Sequence, residues 1–409
     1  MRGDLREFRS GWPILLAALF GNFSATYSLL YFGLSSFMKP LQAEFGWGRP
    51  AIGLAVVFMT LAVVVVSPWV GKACDHYGSR RVVLVSVPLS VLAIAGLSQI
   101  GASIWQFYLG YLLAILAGAG TLGLAYTGSI TPHFDRHRGL ALGLAFAGAG
   151  FTAVLMPLLL APLIERWGWR NAFLALALLP LLQWPLAWWL LPRDRAAGQA
   201  TSAGSTRPLT GFSFQAAVRQ PRFWILGTTF FLLGLTLAGL VVNLRALLED
   251  RGLTVETAGR VTSTLGIGII AARVLAGWLV DRWHAPVVGA LGFSGAAIGC
   301  ALLFSADPLL AGLGTLLLGI AIGSEMDLLA YMTTRYFGLA HQTQIVGAIF
   351  SVFTFGGICS PALIGALYAR SHDYDGALAV GILACSCAAL LILRMGPYPA
   401  FGAGASSRR

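Results

Sequence analysis

Apolar stretches of about 20 residues, the length needed to cross ~30 Å of hydrocarbon at 1.5 Å per residue, recur along the whole 409-residue chain. They predict twelve membrane helices, near 12–38, 50–71, 82–101, 105–130, 139–163, 171–191, 223–247, 258–280, 286–305, 308–334, 344–369 and 374–394. The polar stretches between them are short, with one exception. Residues 192–222, "PRDRAAGQATSAGSTRPLTGFSFQAAVRQPR", are polar, Ser/Gly-rich and basic. They predict a flexible cytoplasmic linker between an N-terminal six-helix bundle, residues 1–191, and a C-terminal one, residues 223–409. The first apolar run follows basic residues, as in a signal peptide, but it continues for 27 residues without a cleavage-like site and reads as a membrane helix.

Composition agrees: 57% of residues are hydrophobic, 11% are charged, and the mean hydropathy is +0.78. A soluble domain carries roughly a quarter charged residues, so the expected class is an all-α, polytopic membrane protein. Fifty glycines fit closely approaching membrane helices. The five cysteines have neither metal-ligand nor disulfide-framework spacing. No cofactor or metal site is expected. With both termini in the cytoplasm, 18 Lys and Arg lie on the cytoplasmic side and 8 on the other, with Arg273 inside a segment. The positive-inside rule favours that orientation in a plasma membrane. The net charge of +11 reflects this asymmetry, and no basic face for nucleic acid exists outside short loops.

The halves repeat. "GKACDHYGSRR" carries Gly71 and Asp75 at the cytoplasmic end of the second segment, and "GWLVDRWHAP" carries Gly277 and Asp281 at that of the eighth, both at an offset of 206. "WRNAF" from Trp169 echoes "YDGAL" from Tyr374 at an offset of 205. Parallel duplication of six helices, with a substrate site between the halves, is a transporter architecture.

The stretch Gly71, Asp75, Gly78, Arg80, Arg81 resembles the signature loop of the major facilitator superfamily, and the 6+6 layout covers the whole chain. The resemblance implies the major facilitator fold, two pseudo-symmetric six-helix bundles, with a cytoplasmic gate at these residues and at their counterparts Gly277, Asp281 and Arg282. The alternative is that Arg80 and Arg81 are topology charges alone. "YFGLSSFMKPLQAEFGWGRPAIG", "HFDRHRGLALGLAFAGAG" and "FGLAHQTQIVGAIFSVFTFGG" look like the bacterial branch of the monocarboxylate transporter family. That resemblance implies transport of a small organic anion, often with a proton. The family's helix 8 aspartate, four residues before the arginine, is here Ile269, and its helix 1 lysine position holds Phe32.

Charges inside the segments carry the candidate chemistry. Arg273 sits near the middle of the eighth, where a guanidinium costs at least ~2.5–3.5 kcal/mol unless it meets a wet cavity or a partner. Its planar fork suits a substrate carboxylate, a role the family's arginine implies; the alternative is a permanent structural pair. Glu325 and Asp327 lie four to six residues cytoplasmic of the centre of the tenth segment, at nearly the depth of Arg273, and read as a relocated proton-coupling or ion-pair partner or as balance for helix-terminal arginines. Two residues apart is ~200° around a helix, so one of them faces Arg273 or a cavity and the other packs elsewhere. Asp327, Tyr331 and Arg335 share a face through i, i+4 spacing, with Arg335 at the gate end. Asn22, Tyr27 and Tyr31 in the first segment and Tyr126 in the fourth are further substrate candidates, or simply satisfy backbone carbonyls.

Walker, dinucleotide and nucleophile-elbow contexts do not occur, which disfavours an ATP-driven pump or an enzyme. The expected function is secondary transport of a small carboxylate, with protons, by a monomer in the bilayer. An efflux carrier for hydrophobic or cationic compounds and a non-transporting sensor are the competing readings.

Overall fold

The structure, a computed structural model, describes residues 4–193 and 211–399. The predicted linker falls largely on residues 194–210, outside the described residues. Among the described residues the regular structure is helical, with turns and short irregular connections and a single isolated antiparallel bridge, Gly211 with Gly338. Eleven helical spans are long and apolar enough to cross a membrane, and Ile104–Ala117 is a shorter apolar helix.

The chain divides into two compact units. The first takes residues 1–136, 144–210 and 339–348; the second takes 137–143, 211–338 and 349–409.

In the first unit, the predicted segment 12–38 is a pair of helices, α1 (Asp4–Phe23) and α2 (Thr26–Phe45), interrupted where Ala25 turns extended at ψ 133°. The following helices are α3 (Ala55–Tyr77) and α4 (Ser79–Gly96). The predicted segment 105–130 is interrupted as well, into α5 (Ile104–Ala117), a single tight turn at Ala119–Thr121, and α6 (Leu124–Ile130). Each interruption frees backbone groups at a depth without water, where they must find partners inside the protein. They find each other. The Thr26 N–H donates to Thr121 Oγ1 at 3.1 Å, the Thr121 hydroxyl donates to the Gly118 carbonyl at 2.6 Å, and the two threonine hydroxyls lie 3.2 Å apart. Gly118 must lack a side chain because Thr26 fills the space where a Cβ would go.

The predicted segments 139–163 and 171–191 lie in the run Arg138–Leu190, labelled α7, which is two helices meeting at Gly168, whose φ of 77° and ψ of 163° are non-helical and favour glycine. Trp169, whose place at a predicted helix end suits an interfacial anchor, is instead buried, with its indole N–H donating to Glu44 at 2.6 Å.

The second unit contains α8 (Pro221–Asp250), α9 (Val255–Val280), α10 (Ala285–Leu302), α11 (Pro308–Phe337) and α13 (Asp375–Leu393), with most of α12 (Gln342–Ser371). The tightest helix pair here is α9 with α11. Gly268 faces the Leu316 carbonyl and the Gly319 backbone, Gly319 faces the Leu265 carbonyl, and Gly323 faces the Ile269 carbonyl and Ala272. Without side chains at these points the two backbones approach until carbonyl oxygens touch α-carbons, the close packing that small residues permit in membranes.

We expect Gly323→Val, which has no room for its side chain, to cost about 1–3 kcal/mol. Gly312→Ala on the same helix, where a Cβ meets nothing within 4 Å, should stay within about 1 kcal/mol of the parent. Thermal unfolding of the two variants in detergent would check this; equal midpoints would show that the α9–α11 approach is not what the glycines provide.

Candidate functional site

The α9–α11 approach sets the position of the membrane charges. Asp327 is one helical turn beyond Gly323 on the same face, and Arg273 follows Ala272, which Gly323 touches. The Arg273 Nη1 to Asp327 Oδ1 distance is 3.5 Å, with the aspartate side chain 1% exposed and the arginine 16%. A charge-assisted bond of full strength is roughly 2.7–2.9 Å, so this is a loose, one-point pair. The other carboxylate oxygen, Asp327 Oδ2, is buried and has no hydrogen-bond partner among the described residues. It borders Gly143 in the first turns of α7, where an added Cβ would lie 3.5 Å from it. Glu325, two residues earlier, is half-buried and makes no hydrogen bond or ion pair among the described residues. Asp327, not Glu325, is therefore the acid within ion-pair distance of Arg273.

One turn further, Tyr331 is buried and its hydroxyl accepts from Arg335 Nε and Nη2 at 3.3 and 3.2 Å. Asp327, Tyr331 and Arg335 thus form a ladder along one face of α11.

A second arrangement occurs once in each unit. In the first, Asp75 accepts from the backbone N–H groups of Thr343 (3.2 Å) and Gln344 (2.8 Å), the second and third residues of α12. In the second, Asp281 accepts from those of Gly139 (2.7 Å) and Leu140 (3.0 Å), the second and third residues of α7. Helix starts carry unpaired N–H groups and the positive end of the helix dipole, so a carboxylate is well matched to both. The glycine four residues before each aspartate makes room: Gly71 abuts the Thr343 and Gln344 backbone, and Gly277 abuts the Gly139 carbonyl. The sequence offset of 206 thus corresponds to one repeated geometry. Sequence reasoning missed the partners Gly139, Leu140, Thr343 and Gln344, and it missed Gly143; the spacing Gly139-x-x-x-Gly143 was the available signal.

The remaining candidates are accounted for individually. Gly78, at φ 86°, ends α3 and starts α4. Arg80 donates to the Trp188 carbonyl at 2.5 Å and lies 4.9 Å over the Trp188 ring, whereas Arg81 is exposed. Arg282 stacks 3.8 Å over Trp278. Asn22 is buried and donates to the Ala18 carbonyl at 2.9 Å. Tyr126 is fully buried and accepts from the Gln183 amide. Tyr27 and Tyr31 stack at 5.6 Å, and Tyr31 is 37% exposed.

The Major Facilitator Superfamily model matches residues 14–361 and, in an overlapping match, 226–408. The chain belongs to the Major Facilitator Superfamily. This superfamily member is 28% identical over 392 residues to mouse "Monocarboxylate transporter 11", covering 90% of this chain and 84% of the relative. It is 27% identical over 367 residues to the "Gallate transporter" of Pseudomonas putida, covering 81% and 80%. Its fold is that of the E. coli fucose:proton symporter, with a TM-score of 0.70 at 16% identity over 94% of this chain and 98% of the other. The chain is therefore a multi-pass membrane transporter of the major facilitator fold, resembling the monocarboxylate transporters.

The Asp281 helix-start contact has a pH signature. Burial raises this carboxyl above its ordinary value, against the opposing pull of the Leu140 and Gly139 amides, His137 and Arg335. A group that binds its proton more tightly folded than unfolded contributes stability at low pH, and that contribution fades as pH rises from the usual carboxylate range through the raised value. The thermal midpoint of the parent minus that of Asp281→Asn should accordingly fall over this interval. A difference that stays flat or rises would contradict the burial assignment.

Proposed function

We propose that this transporter moves a small organic anion bearing a carboxylate, coupled to protons, by alternating access. The observation that carries this reading is the loose Arg273–Asp327 pair inside the membrane span, with one carboxylate oxygen unsatisfied. The Arg273–Asp327 contact is long at 3.5 Å, and a guanidinium's planar fork of five N–H donors can grip a substrate carboxylate with two parallel bonds. When substrate takes the guanidinium, Asp327 loses its countercharge, and a proton on Oδ2 restores neutrality. Anion and proton would then occupy the site together without a separate proton residue. Glu325 is the alternative proton acceptor.

The names of the relatives, a monocarboxylate and a gallate transporter, support a carboxylate as the common feature. Asn22, Tyr27, Tyr31, Tyr126 and Tyr331 are proposed to complete substrate recognition. The helix-start contacts of Asp75 and Asp281, with Gly71, Gly78, Gly277, Arg80, Arg81, Arg282 and Arg335 around them, are proposed as the cytoplasmic gate. Two six-helix repeats, residues 1–191 and 223–409, joined by 192–222, are proposed as the moving parts. A monomer in the bacterial inner membrane with both termini cytoplasmic is proposed.

Uptake of radiolabelled carboxylates, gallate and lactate among them, into proteoliposomes tests the reading. Arg273→Ala should lower kcat/KM by roughly 10- to 100-fold, the worth of hydrogen bonds to a charged group, and Arg273→Lys should restore only part. Full activity in Arg273→Ala would exclude Arg273 as the anion site. Asp327→Asn should abolish substrate-driven proton entry while leaving anion exchange. If proton entry persists in Asp327→Asn but disappears in Glu325→Gln, the coupling acid is Glu325. If both variants stay coupled, the mechanism fails.

A further inference from the structure

The start of α10 has a capping problem. His284, at its cap position, makes no side-chain hydrogen bond to the helix, and Pro286 has no N–H to offer. The Ala285 N–H remains and needs an acceptor from outside the helix. That acceptor is the hydroxyl oxygen of Tyr398, at 2.8 Å, from the segment that follows α13.

The segment carrying Tyr398 is itself secured at several points. Tyr336, in the last turn of α11, donates its hydroxyl to the Gly396 carbonyl at 2.6 Å. Arg222, at the start of α8, donates through Nε to the Met395 carbonyl at 3.2 Å and through Nη2 to that of Pro397 at 3.4 Å. The Tyr398 ring packs against His284 and Tyr336, with centroids at 4.6 and 5.0 Å. Residues 395–398 therefore tie the starts of α8 and α10 to the end of α11, all within the second unit.

One contact reaches toward the ion pair. The Arg335 guanidinium lies 5.7 Å over the Tyr398 ring and 5.4 Å over that of Tyr331, to whose hydroxyl it also donates. Tyr331 is one turn from Asp327 on the same face of α11. We infer that Tyr398 is a positioning residue for transport: its ring holds Arg335, Arg335 holds Tyr331, and the α11 turn carrying Asp327 is fixed from its cytoplasmic end. The consequence for transport rests on the function proposed above; the positioning itself does not.

Two substitutions separate the parts. Tyr398→Phe keeps the ring beside Arg335 and removes the acceptor for Ala285, whereas Tyr398→Ala removes both. In hydrogen–deuterium exchange of the full-length protein in detergent, Tyr398→Ala should raise exchange in peptides covering 284–288 and 331–337. Tyr398→Phe should raise it in the first alone. For uptake, Tyr398→Ala should lower the maximal rate by roughly two- to fivefold, the scale of a lost cation–π contact, with the carboxylate KM nearly unchanged because Arg273 is untouched, and Tyr398→Phe should restore it.

Parental exchange across 331–337 in Tyr398→Ala would overturn the inference. So would a uniform rise across the whole second unit, since Tyr398 would then merely hold the unit together. A parental maximal rate in Tyr398→Ala would overturn the link to transport. Absence of carboxylate uptake by the parent protein would overturn only the proposed function, because the exchange measurement needs no substrate.

Discussion

The close approach of α9 to α11 is the constraint on which the rest of the second unit depends. Arginine and aspartate at membrane depth are each costly alone, and a pair repays that cost only when geometry brings them together. Gly268, Gly319 and Gly323 supply that geometry by letting backbone meet backbone. The ion pair then falls one turn beyond the last contact, at 3.5 Å, near enough to neutralise and too far for a full-strength bond. On the proposed reading a tighter pair would be harder for a substrate to open, and a wider one would leave two poorly compensated charges within the span.

The two aspartate caps follow a related logic. In each, a glycine admits a helix start and an aspartate four residues later accepts from that helix's second and third amides. Neither partner helix supplies a side-chain cap through these bonds, so the orphan N–H groups depend on a carboxylate distant in sequence. Tyr398 does the same for α10 with a neutral oxygen. Among the described residues, capping from a distance recurs at four helix starts, the fourth being α2, whose Thr26 N–H donates to Thr121 Oγ1.

Much of this was legible in the sequence. The length of the apolar stretches located the eleven candidate spans and the shorter apolar helix found among the described residues, and the Gly/Asp offset singled out Asp75 and Asp281 before their helix-start partners were known. The interruptions at Ala25 and at Gly118–Thr121 were not legible, because threonine and glycine within an apolar run carry no signal unless one knows that the two breaks face each other. The choice of Asp327 over Glu325 was equally hidden: helical geometry says that only one can face Arg273, and the rotation of α11, set by its glycines, decides which. Trp169 was misjudged for a similar reason. Its position at a helix end suggested the lipid interface, but Glu44 lies within hydrogen-bond reach and draws it inward. The segment after α13 has no periodicity at all, so Tyr398 drew no attention.

The cap at Asp281 and the Arg273–Asp327 pair are parts of one interface. Along α9, Arg273, Gly277 and Asp281 are spaced by four; along α7, Gly143 and Gly139 meet them in antiparallel order, Gly143 against the Arg273 carbonyl and Gly139 against that of Gly277. The Gly139 and Leu140 amides are held by Asp281, and Gly143, one turn on, borders the unsatisfied oxygen of Asp327. Helix backbones in contact slide or tilt as units, because close-packed interfaces have discrete arrangements instead of a continuum. Loosening the Asp281 cap would therefore move Gly143 relative to Asp327 within the same rigid turn, and a change of charge at Asp327 would press on α7 in return. Such reciprocity is what coupling between two sites requires thermodynamically. On the proposed reading, it gives the anion and proton site mechanical access to the helix-start cap through a single pair of helices, with no longer path needed.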